Sequence, residues 1–256
     1  MVRVARAKDG ITTLAIGDGA NDVNMISAAH VGIGIRGLEG QQAARASDFA
    51  ICQFRHLKNL MFAHGREAYR RNSYLVLYTF YKNALYVLPM FYYGFFSCFS
   101  GTPFYDGILY QGFNIFFTSM PVCWYTTFDW AYSKDRFLHD PSLYKIGIKN
   151  KCFNNFVFWK WYSYAIWQSL VILLLSFFTF GESTQLVGFR NERIVYGSLL
   201  FNGTFVVMAI VLLVNFKIMV NQYEHTWISH FWIWGSIAWF FGFYGAESLG
   251  YIYSGL

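Results

Sequence analysis

The chain has 256 residues, 55% of them hydrophobic, 22% aromatic and only 13% charged, with a mean hydropathy of +0.31. Globular chains carry about a quarter charged residues, so this composition excludes a single soluble core. The formal net charge is +6, yet the basic residues form no stripe or tail, which excludes a nucleic-acid surface and leaves membrane topology to explain their distribution. Cys52, Cys98, Cys123 and Cys152 are scattered without a CxxC pair, so neither a zinc site nor a disulfide framework is expected. The opening MVRVARAK lacks the short apolar core of a signal peptide.

Residues 1–60 read as soluble and α/β. ITTLAI (11–16) is a short β-type run ending at Gly17, and residues 22–30 have helical spacing with Val23, Ile26 and Ala29 on one side. VGIGI (31–35) predicts a second strand, a helix follows from about Gln41 to Ala46, and Phe49 to Ile51 forms a last short strand. Strand, turn, helix and strand make a βαβ unit, which favours a parallel sheet with its active residues at the strand C-termini. Sixty residues are too few to complete such a domain, so the first half of the sheet is expected to be missing.

RHLKNLMFAHGREAYRRNSY (55–74) is a basic helical segment, with 61–74 as the linker proper and Arg66 to Arg71 expected to anchor against anionic lipid. Five candidate spans follow, at about 75–97, 108–128, 157–180, 195–216 and 227–247, each near the roughly 20 residues that cross a bilayer as a helix. Residues 1–74 hold ten Lys and Arg, the 129–156 loop five, the 98–107 loop none, and the 181–194 loop Arg190 and Arg193. The positive-inside rule then puts the N-terminal region and the 129–156 loop in the cytoplasm. An odd number of spans with an abrupt end predicts that a last span is missing.

Gly17-Asp18-Gly19-Ala20-Asn21-Asp22 is the strongest chemical signal. Asp18 and Asp22 sit four residues apart across a strand-to-helix turn, where both carboxylates could reach one hard cation. Gly17 and Gly19 let the backbone turn tightly and approach a phosphate, and the helix N-terminus with the Asn21 amide offers donors to that anion. A plain surface turn has the same residue types, but six in this order after an apolar strand favour the phosphate reading. Gly32, Gly34 and Gly37 also spell GxGxxG, yet no helix opens there and position 57 is Leu where an acid is needed, so a dinucleotide site is rejected. His30, His56, His64, His139, His225 and His230 show no metal-ligand spacing and read as surface or interfacial residues.

LVLYTFYKNALYVLPMFYY (75–93) raises a different question, because Lys82 and Asn83 fall near its middle. An ammonium near the bilayer centre costs about 2.5 kcal/mol or more unless it faces a hydrated cavity or an anion. No Asp or Glu lies in the core of any predicted span, so a buried ion pair is not expected to explain it. Pro89 is expected to break the helix about two turns later and free carbonyls that line a path. Asn114 is a candidate partner across the groove, although single Asn residues also simply bond helices together.

AIGDGANDVNMI, VGIGIRGLEGQQAARASDFAICQF and HGREAYRRNSYLVLYTFYKN together resemble the type IV P-type ATPases, the phospholipid flippases. FNIFFTSMPV, DPSLYK, WQSL and HFWIWGS extend the resemblance over essentially the whole chain. It implies an α-helical multi-span membrane protein with an N-terminal partial α/β, haloacid-dehalogenase-like phosphorylation-domain segment. Residues 1–60 would end that domain, 61–74 would be the linker helix, and 75–256 would hold spans five to nine of ten. By the same resemblance, Asp18 and Asp22 hold Mg²⁺, Gly17, Asn21 and Asp22 bind the phosphate of ATP, and Lys82, Asn83 and Asn114 lie on the lipid path.

Also implied are an aspartyl-phosphate cycle with ATP as substrate, a phospholipid substrate, an accessory β subunit, and a plasma-membrane, Golgi or endosomal location. The family's phosphorylated aspartate sits in DKTGT; no Asp here has that context, and Asp9 precedes GITT instead. The nucleophile is therefore expected on a missing N-terminal portion of the same polypeptide, with Met1 an internal methionine of a fragment or truncated gene. The alternatives are a truncated non-catalytic membrane protein, a cation-transporting P-type ATPase, whose transport spans would carry acids, and a tethered phosphatase, which would need a nucleophilic Asp.

Overall fold

A computed structural model describes residues 2–8, 10–37, 40–186 and 192–254. Asp9, Leu38 and Glu39 of the GLEGQQA stretch, and residues 187–191 of the expected 181–194 loop lie outside the described residues. In chain order the elements are α1 (Val2–Arg6), β1 (Leu14–Gly17), α2 (Val23–Ala28), β2 (Val31–Ile35), α3 (Gln42–Ala46), β3 (Phe49–Ile51), α4 (His56–Asn59), α5 (Arg66–Phe96), α6 (Gly107–Gly112), α7 (Ser119–Phe128), α8 (Lys134–His139), α9 (Lys145–Ile148), α10 (Asn155–Leu186), α11 (Glu192–Asn221) and α12 (Trp227–Ser254). They fall into two units, one of residues 1–66 with 132–144 and one of 67–131 with 145–256. Tyr132–Tyr144, which the sequence reading places in a loop between spans, thus groups with the N-terminal residues.

The first unit is built on a parallel sheet in the order β1-β2-β3, with Ile16 paired to Ile33 and Gly34 to Ala50. Short apolar runs separated by helices leave no hairpin route, so parallel pairing with crossovers follows. Ala15, Ile26, Ile33 and Ala43 fill the small core. Gly32 and Gly34 explain the false dinucleotide pattern. A Cβ on Gly32 would lie 2.6 Å from Ile26 Cγ2, and one on Gly34 would lie 2.6 Å from the Ala43 carbonyl oxygen. The glycines let α2 and α3 pack directly onto β2. In the 132–144 segment Phe137 is buried, with the Arg66 guanidinium 4.8 Å from its ring centroid.

The second unit is a helical bundle with an aromatic core that includes Tyr78, Tyr81, Phe104, Phe113, Phe117 and Phe240. Buried tyrosines need partners for their hydroxyls. Tyr86 donates to the Leu109 carbonyl (3.3 Å) and Tyr105 to that of Tyr86 (3.1 Å), while Tyr81 donates to the Gln168 side chain. Among the described residues two stretches, Asn155–Thr179 and Leu199–Asn221, are long and apolar enough to cross a membrane by length and composition. The segments 75–97, 108–128 and 227–247 coincide with α5, with α6 through α7, and with α12.

Two expectations are revised. Pro89 lies inside α5, and the helix continues through it to Phe96. One missing N–H leaves a single carbonyl without its donor, which a 31-residue helix packed among neighbours tolerates. The 108–128 segment, expected as one span, is instead interrupted: Phe113–Phe117 winds as a π-helix, and Thr118 leaves helical geometry at φ −138°, ψ −6°. Pro121 supplies the reason. It has no N–H to donate to the Phe117 carbonyl, so the ladder fails one turn earlier.

Candidate functional site

The phosphate-type turn forms where β1 ends. Gly17 closes the strand, Ala20–Asp22 makes one 3₁₀ turn, and α2 opens at Val23. Asp22 folds back into the turn: its Oδ2 accepts the Asp18 N–H at 3.2 Å and, more weakly, the Gly19 N–H at 3.4 Å. Gly17 is sterically required, whereas at Gly19 the close atom is the tip of the flexible, exposed Asn21 side chain. A Cβ on Gly17 would stand 2.3 Å from Asp22 Cβ, and one on Gly19 would stand 2.3 Å from Asn21 Oδ1. Asp18 and Asn21 are exposed, and Asp22 is half-buried. Asp22 therefore shapes the turn with one oxygen and keeps the other, while Asp18 presents a free carboxylate to solvent.

That donor set fits Mg²⁺, which takes one or two carboxylates and fills its remaining positions with phosphate oxygens and water. Among the described residues no cluster of three or more His, Cys, Asp or Glu could enclose a metal by itself. A cation held at this turn would need oxygens from elsewhere, as a phosphate provides.

The second candidate lies in the bundle. Lys82 is 6% exposed on α5, and its Nζ donates to Thr118 Oγ1 at 2.8 Å. Thr118 in turn donates its hydroxyl proton to the Phe113 carbonyl at 2.9 Å. Among the described residues no carboxylate pairs with Lys82. An ammonium has three donors, so two remain beyond the one given to Thr118. Asn83, one residue on, is exposed, as is Asn114. The three expected lipid-path residues thus divide: Lys82 is buried against Thr118, and both asparagines lie on exposed faces.

Sequence reasoning missed Thr118 and the charge cluster at the start of α5. Arg70 donates to Glu67 Oε2 (2.7 Å), Asp129 Oδ2 (2.8 Å) and the Tyr125 hydroxyl (3.0 Å). Burial alone would lower its pKa, but the bonds to Glu67 and Asp129 outweigh that and hold the guanidinium above its ordinary value. Asp129 Oδ1 accepts the N–H groups of Tyr223 (2.9 Å) and Glu224 (3.0 Å). Arg71 donates to the Thr127 carbonyl. These arginines were expected to face anionic lipid; Arg66 is instead buried against the rings of Tyr132 and Phe137, and Arg70 against Glu67, Asp129 and Tyr125. The Glu67–Arg70 spacing of three, with Asp129 directly after an apolar run, was the available signal.

Among the described residues two helices are long and apolar enough to cross a membrane, and a third helix buries Lys82. Residues 44–255 match the family described as phospholipid-translocating P-type ATPase, C-terminal, and the chain belongs to that family. It is 41% identical over 93% of its length to mouse phospholipid-transporting ATPase IH, covering 20% of that protein. Human phospholipid-transporting ATPase IG is also 41% identical, over 94% of the chain and 21% of its own length. Phospholipid-transporting ATPase 6 of Arabidopsis thaliana is 39% identical over 94% of the chain and 19% of its own length. The chain spans about a fifth of the length of these curated relatives.

Proposed function

We propose that this chain forms the membrane-transport part of an ATP-driven phospholipid flippase, together with the end of its phosphorylation domain. The observation that carries the reading is Lys82: a buried ammonium that gives one hydrogen bond to a hydroxyl, pairs with no carboxylate among the described residues, and keeps two donors. Such a group in a membrane span fits an anion that visits rather than one that stays. A lipid phosphate or carboxylate is that anion. Asn83 and Asn114 would offer neutral hydrogen bonds to the same headgroup from the exposed sides of α5 and the π-helical turn. A cation pump would place acids at this depth, and none lies there among the described residues.

In this reading residues 1–60 end a haloacid-dehalogenase-like domain, 61–74 link it to the membrane, and 75–256 contribute five spans with the N-terminal region cytoplasmic. Asp18, with Asp22, would hold Mg²⁺, which when bound neutralises phosphoryl oxygens. Gly17 admits the phosphate to the backbone, and Asn21 donates to it. The phosphorylated aspartate, the ATP site, an accessory β subunit and a plasma-membrane, Golgi or endosomal location complete the proposal.

A chimera tests it, with this chain replacing the matching stretch of mouse phospholipid-transporting ATPase IH. Lys82→Ala should leave phosphoenzyme formation intact and slow lipid-stimulated dephosphorylation, whereas Asp18→Asn should abolish the phosphoenzyme. Full ATPase activity in Asp18→Asn would overturn the assignment.

A further inference from the structure

The break between α6 and α7 does more than interrupt a helix. Pro121 deprives the Phe117 carbonyl of its i+4 donor, and a bare carbonyl in a bundle core costs several kcal/mol on the scale of membrane interiors. Asn215 replaces the missing donor from α11. Its Nδ2 donates to Phe117 O at 3.2 Å and to its own Val211 O at 2.9 Å, which spends both amide hydrogens. Asn215 and Thr118 are both fully buried.

Thr118 sits at the break, outside helical geometry. Because its hydroxyl proton is committed to the Phe113 carbonyl, the hydroxyl can meet Lys82 only as an acceptor. Asn215 thus fixes the broken backbone, the backbone fixes Thr118, and Thr118 fixes the ammonium. Asn215 Oδ1 is buried and accepts no hydrogen bond among the described residues, so this wall also carries an acceptor ready for a water or a headgroup donor.

We propose that Thr118 and Asn215 are positioning residues for Lys82, holding its ammonium so that two donors stay free for an anionic headgroup oxygen. The proposal rests on the reading of Lys82 as part of the lipid path.

The first test needs no transport. The full chain in phosphatidylcholine nanodiscs is labelled with fluorodinitrobenzene, and the rate at Lys82 is followed by mass spectrometry, with exposed Lys149, which lies outside the spans, as internal reference. Thr118→Val keeps the shape and removes the acceptor; its Lys82 rate should rise about tenfold, the scale of one hydrogen bond to a charged group. Thr118→Ser keeps the hydroxyl and should stay within about twofold of wild type on the same scale. Asn215→Leu should raise the rate in the same direction. Unchanged rates in Thr118→Val and Asn215→Leu overturn the proposal, as does an equal rise in Thr118→Ser. If Asn215→Leu fails to fold, the Val and Ser pair still decides the role of Thr118, and Asn215→Ala, which removes the amide donors without adding a charge or a new donor, decides that of Asn215.

The chimera separates this proposal from the function it rests on. There Thr118→Val should raise KM for phospholipid while leaving kcat nearly unchanged, and Thr118→Ser should restore KM. A Lys82→Ala chimera with normal lipid stimulation sinks the lipid-path reading itself. Impaired Lys82→Ala beside a normal Thr118→Val sinks only the positioning role.

Discussion

Asp129→Ala probes what holds the start of α5 against the rest of its unit. The side chain of Asp129 is 0% exposed and that of Arg70 is 10%, so water screens their 2.8 Å contact little. Removing the carboxylate deletes the Arg70 bond and strands the N–H groups of Tyr223 and Glu224. Breaking a buried ion pair by deleting one partner costs about 3–5 kcal/mol. Glu67 still binds Arg70, which keeps the expected loss toward the lower end, at roughly 3 kcal/mol. Asp129→Asn separates the two contributions, because an amide oxygen can still accept from the backbone; about half the loss should remain, the share of a hydrogen bond to a charged group. Reversible SDS titration of the purified chain in mixed micelles reads both. A loss below about 1 kcal/mol in Asp129→Ala, the range of exposed pairs, refutes the argument that this cluster is buried and mutually dependent.

Gly203→Ala should destabilise the bundle by roughly 1–3 kcal/mol in the same titration, as overpacking does. Its new Cβ would lie 1.8 Å from the Phe104 carbonyl oxygen, which outweighs alanine's helix propensity of about 1 kcal/mol; a gain in stability contradicts the packing. Lys217 holds its ammonium 3.3 Å from the Tyr81 ring centroid and 4.4 Å from that of Trp161. Lys217→Glu should therefore be less stable than Lys217→Met by roughly 1–2 kcal/mol, since ring faces attract cations and repel anions, and equal stabilities contradict the cage. In the chimera, Gly17→Ala should lower phosphoenzyme formation about a hundredfold, the usual cost of moving a site group by an ångström, with unchanged membrane insertion. Retained phosphorylation means the turn need not be as tight as the Gly17–Asp22 contact requires.

The turn after β1 was legible because its information is local. An apolar strand, two glycines, an Asp-Asn-Asp pattern and a helical run lie within a dozen residues, and Gly32 and Gly34 belong to the same stretch. Lys82 was legible as a misfit, since a charge in an apolar aromatic run needs a reason. Its partner was not. Thr118 reads as neutral in an apolar helix; its role depends on Pro121 three residues later and on Asn215, 98 residues from the Phe117 carbonyl it serves. The same distance effect hid the fate of Arg70, whose second acid lies 59 residues away. Pro89 misled for the opposite reason: a local rule predicts a break, and packing along α5 overrides it.

Transport itself is the most direct measurement. Proteoliposomes carrying the chimera should move a fluorescent phospholipid between leaflets when given ATP and Mg²⁺, and Lys82→Ala should lose most of that flux while still forming phosphoenzyme. Undiminished flux in Lys82→Ala would contradict the claim that this buried, carboxylate-free ammonium lies on the lipid path.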